Sequence, residues 1–279
     1  MTIERVAATS RHVIRFSRTD RLMHGFLMFS FLGLALTGLP LLFSHAPWAF
    51  ALARVLGGVA VAGVLHRIFA VVLIAVFVTH VARLLRRVYV EKDYSIFWGP
   101  SSMVPQPRDL QELRGHVLWF LGRGPRPAFE RYTYWEKFDY WAVFWGMAII
   151  GGSGLMLWFP EQFSRVLPGW VFNIALVVHG EEALLAVGFI FTIHFFNGHL
   201  RPEKFPMDMV IFTGSVPESE LQHERAAEYD RLKRSGDLER LAVPPPRRST
   251  WRLGRAVGTI ALTIGTALVI LIVFALITT

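Results

Sequence analysis

The chain has 279 residues, 53% of them hydrophobic and 14% aromatic, with mean hydropathy +0.41 and formal net charge +8. That is too apolar for an ordinary soluble domain, so membrane spans take precedence over soluble folds. Cysteine is absent, which excludes disulfides, cysteine-ligated iron–sulfur clusters and covalently attached c-type haem from this chain.

Uncharged runs occupy residues 25–53, 68–82, 140–160, 166–180, 183–200 and 256–279. Crossing ~30 Å of hydrocarbon takes about 20 helical residues. The runs therefore predict five spans, at roughly 22–43, 63–85, 139–160, 172–197 and 254–277. An N-terminal segment, 1–21, carries five arginines ahead of the first span. No small-residue cleavage site follows, which fits a retained span better than a signal peptide. His24 opens this span, and His45 in "FSHAPW" belongs to an interfacial loop.

The second span, "LHRIFAVVLIAVFVTH", carries His66, Arg67 and His80. It reaches membrane length only with His66 and Arg67 inside or at the rim. The loop 86–138 contains "WGPSSMVPQPRDL" and "GRGPRPAF"; its glycines and prolines predict a mostly irregular segment. A third span runs through "GMAIIGGSGLM" and a fourth through "VVHGEEALLAVGFIFTIHFFNGH". The fourth needs Glu181 and Glu182 in or near the membrane. Segment 201–253 contains "PESELQHERAAEYDRLKRSG", a charged helical pattern ending at Gly236, before the breaker "PPPRR". It reads as a solvated helix at the membrane surface, or as a partner contact. The fifth span occupies 254–279. His12, His116 and His223 are expected to be exposed.

Of the 29 Lys and Arg residues, five precede Leu22, ten lie between Arg83 and Lys137, and eleven between Arg201 and Arg255. Only Arg54, Arg67 and Arg165 fall on the opposite side. The positive-inside rule then puts the N-terminus in the cytoplasm and the C-terminus, at Thr279, outside. The high pI of about 10.3 reflects this topology, and a nucleic-acid partner explains it poorly.

His66 and His80 are 14 residues apart, and His179 and His194 are 15 apart. At ~1.5 Å per residue these spacings are roughly 21–23 Å, nearly a membrane's depth. At ~100° per residue they return within about 40° and 60° of the starting face. Each helix can thus present one imidazole near each membrane surface, toward the same interior. Imidazole is the common axial ligand of haem iron, and a bundle core between facing helices is where the macrocycle fits. Paired histidines at two depths predict two b-type haems; interhelical hydrogen bonding is the plainer reading. His66 and His179 lie near the outer surface. His24, His80, His194 and His199 lie near the inner one, four candidates for two positions.

With "RFSRTDRLMHGFLMFSFLGLALTGLPLLF", "GVLHRIFAV", "YWAVFWGMAIIGGSGLMLWFP" and "VVHGEEALLAVGFIFTIH", the chain over about 11–200 resembles the cytochrome b (γ) subunit of membrane formate dehydrogenases. It is similar too to the cytochrome b subunits of nickel–iron hydrogenases. The resemblance implies an all-α integral membrane protein: a four-helix haem-binding bundle over 22–200, here followed by an additional C-terminal transmembrane helix. It implies two haems b that carry electrons between a periplasmic or membrane-bound redox partner, holding Fe–S clusters or c-type haems, and the quinone pool of a bacterial inner membrane. By position it places the outer haem on His66 and His179 and the inner haem on His24 and His194. The 15-residue spacing departs from the family's 14 and calls for a bulge or a different partner. His80 and His199 are extra, so ligation by either would allow a third haem. The family's quinone pocket, an Asn and a Gly before the third helix, falls here on Thr133 and Trp135, with Glu136, Lys137 and Asp139 as other polar groups.

Arg67 is a candidate partner of a haem propionate, or an interfacial snorkelling arginine. Glu182 is a candidate hydrogen-bond partner of His179 or proton carrier, or a solvated rim residue. The glycines of the third span suit close approach by a haem edge or by ordinary helix packing. The contrasting class is a histidine-dependent metal or proton transporter without haem.

Overall fold

The computed structural model describes residues 11–278; residues 1–10 of the N-terminal segment and the expected outer terminus at Thr279 lie outside them. The main elements are β1 (His12–Ile14), α1 (Arg18–Leu42), α2 (Pro47–Val55), α3 (Val59–Tyr89), α4 (Pro107–Phe120), α5 (Tyr134–Trp158), α6 (Trp170–Leu200), β2 (Ser215–Pro217), α7 (Glu218–Glu224), α8 (Ala226–Ser235), β3 (Ala242–Val243) and α9 (Arg248–Thr278). Among the described residues, α1, α3, α5, α6 and α9 are long and apolar enough to cross a membrane. They correspond to the five spans read from the sequence. All five run beyond the expected limits on the charged side, to Arg18, Tyr89, Tyr134, Leu200 and Arg248, because capping, and not hydropathy alone, sets where a helix stops and starts. Ser17 and Asp20 cap α1 reciprocally, Ser17 N donating to Asp20 Oδ2 at 3.2 Å and Asp20 N to Ser17 Oγ at 3.2 Å. Thr133 and Glu136 do the same for α5.

The chain divides into two compact units. One gathers residues up to Arg21, Arg83–Trp141 and Asp208–Ala256, the three segments that the charge distribution assigned to one side of the membrane. A small antiparallel sheet in the order β2-β1-β3 ties the N-terminal segment to 215–217 and 242–243, an element the sequence did not announce. Under it, Val13, Val216, Leu221, Tyr229, Leu232 and Leu238 form an apolar core. The segment 218–235 is therefore packed, correcting the expectation of a merely solvated helix: Glu228 is only 1% exposed. It splits into α7 and α8 at Arg225 and stops at Gly236, whose φ of 77° suits glycine as a helix terminator. His12, expected to be exposed, is buried in β1.

The 86–138 loop is less irregular than expected. It holds α4, started by Pro107 and by Asp109 Oδ2 accepting Gln106 N at 2.6 Å. His116, also expected to be exposed, packs against Phe120, Trp119, Phe129 and Trp135, and shares a hydrogen bond with Tyr134 at 3.1 Å. His223 is exposed as expected.

The other unit comprises Leu22–Ala82, Ala142–Met207 and the described residues from Val257 onward. Its buried core joins Ala35, Leu39 and Phe43 of α1 and the turn after it, Ala49 of α2, Val187, Phe191 and Phe195 of α6, and Leu268, Ile272 and Ala275 of α9. Gly265 lets α9 approach α6 closely, since a Cβ there would stand 2.6 Å from the Phe195 ring. Gly33 accommodates the Phe69 ring of α3 in the same way, at 2.5 Å.

Candidate functional site

His66 on α3 and His179 on α6 face one another inside the apolar unit, their ring centroids 6.2 Å apart and their planes at 77°. Each ring is held through Nδ1. His66 Nδ1 lies 3.0 Å from Thr37 Oγ1, whose own proton goes to the Gly33 carbonyl at 2.6 Å. Oγ1 is therefore the acceptor and His66 Nδ1–H the donor. His179 Nδ1 lies 3.0 Å from the Ile150 carbonyl, with Ser153 Oγ at 3.4 Å. A carbonyl can only accept, so Nδ1–H is again the donor. Both imidazoles are thereby fixed as the tautomer whose Nε2 carries the lone pair, and the Leu34 backbone is a further hydrogen-bond partner of His66.

Local backbone geometry builds this arrangement. Over Met147–Gly151, α5 widens into a π turn, which frees a carbonyl from the regular ladder at the place where Ile150 receives His179. The glycine-rich stretch has a specific use at Gly154: a Cβ there would stand 2.9 Å from His179 Cε1. Across the pair, a Cβ on Gly38 would stand 3.0 Å from His66 Cε1. Two glycines thus leave room for two rings.

The donor set and the spacing fit a haem. With a metal–imidazole bond of about 2 Å on each side, plus half a ring on each side, two imidazoles on one metal have centroids roughly 6 Å apart. The 6.2 Å separation matches, and second-shell acceptors on Nδ1 are the usual support of a ligating histidine.

At the opposite end of the same unit, His194 and His199 stand 6.4 Å apart, and both act electrostatically on His24. His80 has a different neighbour, the Phe144 ring at 6.1 Å. The structure sets His194 beside His199, with His24 within electrostatic reach of both. α6 contains π turns at Ile190–His194 and Phe196–Leu200. A π turn absorbs about one extra residue, so the 15-residue interval in α6 carries the rotation of a 14-residue one. This is the bulge that the spacing called for.

Other candidates are placed differently. Glu182 Oε2 accepts from Trp145 Nε1 at 3.2 Å; it is not the partner of His179, whose polar contacts come from α5. Arg67 is exposed, with its guanidinium 6.0 Å from the Trp158 ring centroid. Thr133, 1% exposed, binds Glu136 Oε2 through both its amide and its hydroxyl at 2.8 Å. The other Glu136 oxygen takes Arg225 at 2.7 Å. Lys137 is buried against both oxygens of Asp109, at 2.8 and 2.9 Å. Trp135 packs on Phe129, Tyr134 and His116, and Asp139 is partly exposed. Sequence reasoning missed Thr37, Ser153 and the Ile150 carbonyl. The signal for Thr37 was available, as a hydroxyl one residue before a glycine in an otherwise apolar span.

Fold and site together define a multi-pass helical membrane protein with opposed histidines inside its apolar unit. No protein-family model matches the chain, and no curated protein matches it. Among the described residues no group of three or more His, Asp or Glu side chains is arranged to hold a metal ion.

Proposed function

We propose that the chain is a dihaem cytochrome b of a bacterial inner membrane, linking the quinone pool to a periplasmic or membrane-bound redox subunit with Fe–S clusters or c-type haems. The single observation that carries this reading is the His66–His179 pair: two rings at iron-bridging distance, each donating Nδ1 to an acceptor on another helix. When bound, haem b supplies reversible one-electron transfer. The chain's part is to hold the rings, fix their tautomers and keep water from them. His24 and His194 are assigned to the inner haem, with His199 beside them. Quinone contact is assigned to the start of α5 around Trp135 and Asp139, because Thr133 and Glu136 are already engaged as a helix cap. The cytoplasmic side is assigned to the charged unit by its arginine excess.

The test is a pyridine haemochrome assay with a reduced-minus-oxidised spectrum of the purified chain. Two haems b per chain are expected, both low-spin. None would leave a histidine-based transporter as the reading, and three would bring His80 or His199 in as a ligand.

A further inference from the structure

In the charged unit, α4 is built inside out by the standards of a protein in water. Its acidic residues Asp109 and Glu112 are turned inward, 8% and 6% exposed. They meet Lys137 at 2.8 Å and Arg108 at 3.2 Å. Leu110, Leu113, Val117, Phe120 and the following Leu121 are all exposed, Leu110 and Phe120 more than 70%. At ~100° per residue these five fall within a sector of about 100°. Arg114 borders that sector and Arg123 follows the helix; both are exposed, and neither meets a carboxylate among the described residues. A second exposed apolar cluster, Tyr94, Phe97 and Trp98, sits on the turn that Asp93 holds by accepting Ser95 N at 3.1 Å and Ser95 Oγ at 2.6 Å.

We infer that α4 lies flat in the headgroup layer of the membrane its own chain crosses, binding anionic phospholipid through Arg114 and Arg123. Three observations select a lipid surface as the occupant. The segment is tied at both ends to membrane spans, leaving α3 at Tyr89 and entering α5 at Tyr134, which keeps it on one side of the membrane and close to it. An apolar stripe bordered by arginine is complementary to acyl chains bordered by phosphate. Trp and Tyr are the side chains that favour the interface between hydrocarbon and water, and they occupy the second cluster. The inward carboxylates complete the argument, since an anionic surface repels acidic groups and these are withdrawn from it. The inference rests only on the chain being membrane-embedded; it holds whether or not haem is bound.

The absence of native cysteine makes the test direct. Leu113→Cys, Val117→Cys and, on another face of α4, Gln111→Cys are each labelled with a bimane fluorophore in the full chain. The labelled proteins are reconstituted in phosphatidylcholine vesicles with or without phosphatidylglycerol. Labels at 113 and 117 are expected to be quenched several-fold more by doxyl-lipid than the label at 111, and iodide should give the reverse order. Equal iodide access at 113 and 111 would overturn the inference. So would protection of 113 from both quenchers, which would mean that protein covers this face. Arg114→Gln with Arg123→Gln should bring lipid quenching in phosphatidylglycerol vesicles down to the phosphatidylcholine level. Unchanged quenching would overturn the headgroup contact, as would loss of quenching on adding millimolar inorganic phosphate to the arginine-bearing protein. These positions are exposed, and a helical circular-dichroism spectrum confirms that each variant is folded.

Discussion

In the charged unit, buried Arg15, Glu228, Lys137 and Asp109 are answered by opposite charges: Arg15 and Arg131 converge on Glu228, and Lys137 on Asp109. In the apolar unit, buried hydroxyls are answered by carbonyls of their own helices. Ser30 bonds Phe26, Thr37 bonds Gly33 and Ser153 bonds Ile149, at 2.6–2.7 Å. A charge taken out of water needs a counter-charge brought from another segment, so ion pairs tie the three strands of chain in the first unit together. A hydroxyl can be satisfied one turn back and need not tie anything. Against that background the imidazoles of His66 and His179 stand apart, since each is answered from a helix other than its own, Thr37 of α1 and Ile150 of α5.

The largest effect that could break the comparison is loss of a ligand. His66→Ala and His179→Ala are each expected to lower haem content from two per chain to one, and to remove the same low-temperature EPR signal. His24→Ala should remove the other haem, and His80→Ala should keep both. Loss of a haem in His80→Ala, with both retained in His24→Ala, would reassign the inner pair.

Next in size is the ion-pair network. Glu228→Ala leaves Arg15, 6% exposed, without its counter-charge, which costs about 3–5 kcal/mol for a buried pair broken on one side. Chemical denaturation should show the charged unit unfolding at lower denaturant. Ser30→Ala, by contrast, should change stability by less than about 1 kcal/mol, because its hydroxyl answers only its own helix. Equal effects of the two substitutions would erase the distinction between the units.

Glu112 sharpens the same point as a function of pH. Burial pushes its carboxyl up to about 7, and Asp109 adds to the rise, while Arg108, Lys137 and Arg225 oppose it; Tyr134 lies within its electrostatic reach. A folded-state value above the unfolded one means that the native state holds the proton more tightly. Its stabilising contribution is therefore full below about pH 4.5 and is lost as pH rises through about 7. The charged unit should be more stable near pH 5 than near pH 8, by at most ~3 kcal/mol. Glu112→Gln should flatten that slope in pH-dependent denaturation, and an unchanged slope would assign it to another group.

The five spans were legible because hydrocarbon demands long uncharged runs. Even the irregular α6 was signalled, by one residue too many between His179 and His194. The burial of His12 and the packing of His116 were not legible, since each is covered by segments distant in sequence: β2 and β3 around His12, Phe129 and Trp135 around His116. The role of α4 was hidden differently. Its leucines have the right period, but Gly and Pro on both sides dominate a local reading, and only the structure shows which face is turned outward. Thr133 and Glu136 read as candidates for ligand contact because their polarity was visible and their mutual capping was overlooked, although T-x-x-E is itself a capping pattern.

The smallest expected effect tests whether the Nδ1 contacts tune the ligands or only position them. Thr37 Oγ1 accepts the His66 Nδ1 proton at 3.0 Å, and the Leu34 carbonyl also lies beside that ring. An acceptor on Nδ1 makes the imidazole more basic and so favours the higher charge on iron. Thr37→Val keeps the shape of the side chain and removes the acceptor, a loss of about 1 kcal/mol. For a one-electron couple that is a rise of roughly 40 mV in the midpoint potential of the outer haem. Haem content should stay at two, because Nε2 is untouched, and the inner potential should not move. Ser153→Ala makes the internal control, because His179 retains the Ile150 carbonyl at 3.0 Å and should shift by less. A redox titration in which Thr37→Val leaves both potentials unchanged would show that Leu34 takes over as acceptor. Loss of the haem would show that the hydroxyl is needed to hold the ring in place at all.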